Sequence, residues 1–182
     1  MNSTVQTPGL ATGQMGALTP SQITTLSAPP RAQLAALSTT ELRNLDTRQI
    51  SALGAADIGA LSTTQIAHLT VTQVRALTAA GIAGLSPSQI AALSVHQVAG
   101  MGAGQIAALS SRQIAQFTTT QLAALGAAHV KELSSAAIAA LSTGQVQGLT
   151  PAALRGLDSA QIAAFTATQI QAMSTTQLSV IG

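Results

Sequence analysis

The chain has 182 residues, no cysteine, tryptophan or tyrosine, 47% hydrophobic residues and only 7% charged ones. That composition excludes disulfides, thiol catalysis and cysteine-ligated metal, and with two Phe as the only aromatics there is little on which nucleic-acid bases could stack. The pI near 10.6 comes from a net charge of only +2, and the basic residues Arg31, Arg43, Arg48, Arg75, Arg112, Lys131 and Arg155 are scattered rather than clustered, so no nucleic-acid partner is expected.

The chain opens on imperfect copies of an eight-residue unit. Ser3 to Leu10 and Ala11 to Leu18 keep the outline of the unit, and Thr19 to Leu26 is fully regular. Pro8 and Gly9 disfavour a helix in the first copy. Ser27, Ala28 and Pro29 interrupt the register, and the adjacent Pro29 and Pro30 suggest a stiff corner. We therefore take residues 1–29 as a degenerate N-terminal segment and 30–182 as the regular part of a single domain. No basic stretch followed by an apolar one opens the chain, so a secretory signal peptide is not expected.

From Pro30 to Ile181 the unit repeats without a gap, giving 152 residues or 19 octads. Ser62 to Leu69 is the model copy. With positions numbered from zero, position 0 is Ser, Thr, Asp or Gly in every octad but the first, which are residues preferred at a helix N-cap. Position 3 is usually Gln, as at Gln65, Gln73, Gln89, Gln97, Gln105, Gln113, Gln121, Gln145, Gln161, Gln169 and Gln177. Ser or Thr followed three residues later by Gln is the capping box, in which each residue satisfies a backbone N–H of the other. Pro87 and Pro151 stand at position 1, the first helical site, where a missing N–H costs nothing. Position 4 is Ile, Val or Leu throughout, and position 7 is Leu with Met101, Phe117, Phe165, Met173 and Ile181 as exceptions.

The octad thus predicts a helix of about two turns, restarted at a new cap every eight residues, with positions 4 and 7 on one face. A strand would send those two positions to opposite faces. One continuous helix would let the apolar stripe drift roughly 80° per octad and wrap the cylinder. Two-turn helices are unstable alone because nucleation is costly, so they must stack. The expected fold is all-α, an α-solenoid of short helices, one per octad. Ala at positions 5 and 6 would let neighbouring helices approach closely. The cap glycines Gly54, Gly102 and Gly126 are spaced by multiples of 24, which points to three octads per superhelical turn.

Residues Ala76 to Ser111 carry no Asp, Glu, Lys or Arg, yet hydroxyls, amides or glycines recur in every octad, so no run of about 20 apolar residues forms a transmembrane segment. Glu41, Arg43, Asp46, Arg48 and Asp57 read as a solvated face. His68, His96 and His129 fall at positions 6, 2 and 3, share no face, and suggest no metal site. His129 replaces the usual Gln. The many Ser and Thr are accounted for by capping, with no base and orienting acid beside them. Gly100, Gly102 and Gly104 lack the strand and the Lys of a phosphate loop. No catalytic residue, cofactor or metal is expected, and the chain reads as a non-enzyme.

The tandem pattern Ser/Thr-x-x-Gln-Ile/Val-x-x-Leu, as in Ser62 to Leu69, resembles octapeptide arrays in large bacterial surface or secreted repeat proteins, and the likeness covers nearly the whole chain. It implies a structural or adhesive role at the surface of a bacterium or outside it. Leu18 to Ile23 and Leu85 to Ile90 are similar to the opening of the repeats of transcription-activator-like effectors. Those repeats are several times longer and carry a base-reading loop that has no counterpart here.

The last octad closes at Ile181 without a polar capping repeat, which solenoids ordinarily need. An apolar end meeting the start of a second copy is a heterologous contact, the kind that builds open filaments. The expected function is a structural repeat protein that joins head to tail into a filament or surface scaffold, with Leu10, Met15, Leu18, Leu178 and Ile181 as the assembly residues. Its partner is then a second copy of itself, with other surface components as further candidates. The alternative is a monomeric solenoid that binds a protein or polysaccharide, and the low charge also raises a membrane-active role.

Overall fold

A computed structural model describes residues 34–182. The degenerate segment 1–29, the Pro29–Pro30 corner and the expected assembly residues Leu10, Met15 and Leu18 lie outside the described residues.

Local chemistry sets the helices. Ser62 is extended at φ −71° and ψ 159°, and its hydroxyl accepts from the Gln65 N–H at 3.1 Å while the Gln65 Oε1 accepts from the Ser62 N–H at 2.7 Å. Thr70 with Gln73 and Ser94 with Gln97 repeat that reciprocal pair. Asp46 and Asp158 cap in the same way through a carboxylate. At Gly54 and Gly102 only the return half exists, because glycine has no side chain; the glycine N–H donates to Asp57 or Gln105. Pro87 and Pro151 occupy the first turn of their helices as the sequence predicts.

Eighteen complete helices follow one another from Thr39–Arg43 to Thr175–Leu178, and no strand occurs among the described residues. Each helix spans four to six residues, shorter than two turns. The octad spends two of its residues on the corner: the position-0 cap is extended, and in the six-residue helices the position-7 Leu is extended too, as at Leu53, Leu61 and Leu77.

Each helix packs on the one three octads later. Ala55–Ala60 lies against Ala79–Ala83, Thr119–Ala123 against Thr143–Gly148, and Thr47–Ala52 against Val71–Ala76. The chain is therefore an α-solenoid with three helices to a turn, and eighteen helices at three per turn make six turns among the described residues. The helices form three columns. The columns start at Thr39–Arg43, Thr47–Ala52 and Ala55–Ala60, and each continues through every third helix.

The core runs up the middle of this coil. Every position-4 residue from Leu34 to Leu154 is at most 1% exposed, and the position-7 residues from Leu37 to Leu149 are at most 4% exposed. Position 6 faces position 1 of the octad three earlier. A Cβ added at Gly148 would lie 3.1 Å from the carbonyl oxygen of Thr119, and one at Gly156 would lie 2.9 Å from that of Ala127. Glycine at these two sites thus permits the close approach, whereas His68, Gln116 and Glu132 hold position 6 in other octads, and position-5 residues such as Ala67, Ala91 and Ala99 stay on the outside.

Candidate interaction surfaces and the glutamine ladder

The position-3 glutamines do more than cap. Twelve of them, from Gln49 to Gln177, are buried to 2–6% exposure. A Gln amide has an acceptor and two donors, and the structure uses both ends. In Gln97, Oε1 closes the capping box on Ser94 at 2.6 Å, while Nε2 donates to the carbonyls of Ile66 at 3.1 Å and Leu69 at 2.7 Å. Those carbonyls belong to the end of the helix four octads earlier. Gln65, Gln73, Gln89, Gln113 and Gln169 repeat the geometry, reaching back 31 and 28 residues each time. One side chain therefore satisfies the start of its own helix and the exposed end of another, the two places where a helix leaves backbone groups unpaired.

The octad pattern predicts only the capping half. A signal for the other half was present: Glu caps as well as Gln, as Glu41 does for Ser38, yet Gln prevails at position 3. Only the amide supplies a donor for a buried carbonyl. His129 is a partial substitute. Its Nε2 donates to the Met101 carbonyl at 2.9 Å, 28 residues back, so His129 belongs to the ladder, while its Nδ1 is buried without a partner. His68 hydrogen-bonds through Nδ1 with the Thr64 carbonyl on its own helix, at 2.8 Å. No group of three His, Asp or Glu comes together among the described residues.

Outside, the three columns differ. In the column that begins with Ala55–Ala60, positions 1, 2 and 5 of the first three helices are only Ala and Gly, from Ala55, Ala56 and Gly59 to Ala103, Gly104 and Ala107, all exposed. This surface carries almost no relief. The other two columns carry Thr, Ser and Arg at the same positions. The six described basic side chains fall two to a column: Arg43 and Arg112, Arg48 and Arg75, Lys131 and Arg155. Lys131 also sits 3.8 Å from Glu132 in an exposed pair of little energetic weight. No helix among the described residues is long and apolar enough to cross a membrane.

The last described turn is different again. Ile162 and Ile170 at position 4 are only partly buried, and Leu178 is 38% exposed, with no helix three octads later against them among the described residues. Ile181 is also partly buried and packs on the edge of the core. Of the expected assembly residues, Leu178 and Ile181 therefore come together at one end of the described coil. Val71 is the other large apolar side chain exposed among the described residues, at 40%, on a side column.

No curated protein matches the chain. A family model described as the ALTTAQ repeat matches five times in tandem, at residues 31–63, 58–95, 87–119, 114–151 and 147–175. Read as residues, those six letters follow the octad from position 6 across the corner to position 3, as in Ala60-Leu61-Ser62-Thr63-Thr64-Gln65. That is the segment holding the close approach, the core Leu, the N-cap and the ladder Gln. The matches span most of the chain, which therefore belongs to the ALTTAQ repeat family.

Proposed function

We propose that the chain is a non-enzymatic structural protein whose coils join end to end into a filament or scaffold. One observation carries this reading. Each described turn is closed by the next through the same contacts, which brings the position-4 residues from Leu34 to Leu154 to 1% exposure or less, so a turn of this repeat is a surface that another turn of it fits. A second copy supplies such turns. The contact is head to tail, so it propagates. The surface is also poor in charge, which favours association. The likeness to bacterial surface arrays supports a place in the envelope or outside the cell.

The expected result is that the purified chain forms uniform thin filaments at micromolar concentration in negative-stain electron microscopy. Leu178→Glu and Ile181→Glu shorten or abolish them while the helical far-UV signal stays unchanged, because a charge at the joint must be desolvated on assembly. Filaments of equal length in both variants would sink the end-to-end reading.

A second reading rests on the Ala and Gly column. A monomeric coil with one low-relief apolar face suits a binding module for a protein or polysaccharide that docks flat against it. Isolated particles in the micrographs favour this reading, and Ala79→Arg, which leaves the core untouched, then reduces partner capture.

A further inference from the structure

We propose that the coil consists of two cooperative blocks, with a seam between Leu125 and Gly126, and that this seam is where it opens first. The inference is independent of the filament reading.

Each position-3 side chain reaches back four octads, so four of them cross any given corner. Between Leu93 and Ser94 all four are glutamines: Gln97, Gln105, Gln113 and Gln121, each with its Nε2 on carbonyls below. Between Leu125 and Gly126 the four are His129, Ala137, Gln145 and Ala153. His129 makes one bond, to Met101, and leaves Nδ1 buried and unpartnered. Ala137 and Ala153 have no donor to offer the carbonyls of Ile106, Leu109, Leu122 and Leu125. Only Gln145 makes the full reach, to Ile114 and Phe117. Every other corner from Leu61 to Leu149 is crossed by at least two glutamines. Above the seam the ladder resumes, with Gln161, Gln169 and Gln177 holding the last turn to the helices below it.

The caps thin out at the same place. The helix Ala127–Val130 has no side-chain cap, and Ser134 and Thr150 cap without a returning side chain. The apolar column itself is unbroken, since Leu122, Val130, Ile138 and Leu154 are all 0% exposed. The blocks therefore stay stacked at rest. What the seam lacks is the directional, buried hydrogen bonding that makes opening costly elsewhere. In a solenoid, stability is a sum of repeat terms and nearest-neighbour terms, and partial opening follows the weakest interface. Bending or extension of the coil is thereby concentrated at one corner.

Native-state hydrogen exchange of the full chain, followed by mass spectrometry at a concentration where it is monomeric, tests this. Backbone amides of residues 118–157 should exchange at least about tenfold faster than those of 86–117. Ala137→Gln with Ala153→Gln should slow that region. Because Gln must find room at two fully buried alanines, a reverse pair serves as the second arm: Gln97→Ala with Gln113→Ala should create a new fast region at 94–117. Uniform protection across 86–157 in the unmodified chain, or a reverse pair that leaves 94–117 as protected as before, would overturn the proposal.

Discussion

Gln97→Glu should destabilise the coil by about 3–5 kcal/mol at neutral pH and by less in acid. Gln97 is 3% exposed, and its amide sits between the Ser94 N–H and the carbonyls of Ile66 and Leu69. In the carboxylate, one oxygen still accepts from Ser94, but the other replaces Nε2 and faces two carbonyl oxygens. The buried Leu69 carbonyl loses its amide donor, at about 1–3 kcal/mol, the Ile66 carbonyl is left with the Leu69 N–H alone, and a charge is buried among like dipoles. Protonation gives the side chain an O–H that restores one donor. The folded chain therefore holds this carboxyl above its unfolded value of about 4.3. A group raised in that way contributes stability that is fully present below the unfolded pKa and lost as pH rises through the folded one. The comparison that isolates it is urea unfolding of Gln97→Glu against Gln97→Ala at pH 4 and pH 7, followed by far-UV ellipticity because the chain has no Trp or Tyr. The Glu variant should gain on the Ala variant as pH falls. Glu as stable as Gln at pH 7 would show that the ladder's donor half contributes nothing.

Gly84→Ala should cost about 1–3 kcal/mol, the usual range for overpacking. Gly84 has φ −76°, an ordinary helical value, so its backbone does not require glycine. The constraint is contact: an added Cβ would run into the Ala55 carbonyl oxygen and lie 2.6 Å from the Ala55 Cα. Those are backbone atoms of the turn below, which cannot rotate aside. Gly100→Ala should cost less, since the added Cβ meets the Cγ1 of Val71, a side chain that is 40% exposed and free to move. Gly104 has nothing within 4 Å of an added Cβ and lies inside the helix Ala103–Ala107. Gly104→Ala should therefore stabilise by about 0.5–1 kcal/mol through helix propensity. Thermal unfolding of the three variants should rank them in that order. A Gly84→Ala protein at least as stable as the parent would show that the close approach of Gly84 to Ala55 does not constrain the turn.

The sequence by itself determined the local grammar of this protein. A capping residue at position 0, its reply at position 3 and a Pro tolerated at position 1 all act within one turn of helix, so their spacing in the chain is their spacing in space. The inward face follows from positions 4 and 7 for the same reason. The period of 24 among Gly54, Gly102 and Gly126 already pointed to three helices per turn.

Only the tertiary structure decided what joins the turns. The Nε2 partners of the ladder lie 28 and 31 residues away, and nothing in an octad says which distant carbonyls its amide will meet. The role of His129 as a stand-in for Gln, the run of Ala and Gly on the first three helices of one column, and the gathering of Leu178 and Ile181 at one edge all depend on which octads stack. Helix length was also settled there: an extended cap at position 0, joined by an extended Leu in the six-residue helices, ends each helix short of two turns, because a coil of three helices per turn must change direction at every cap.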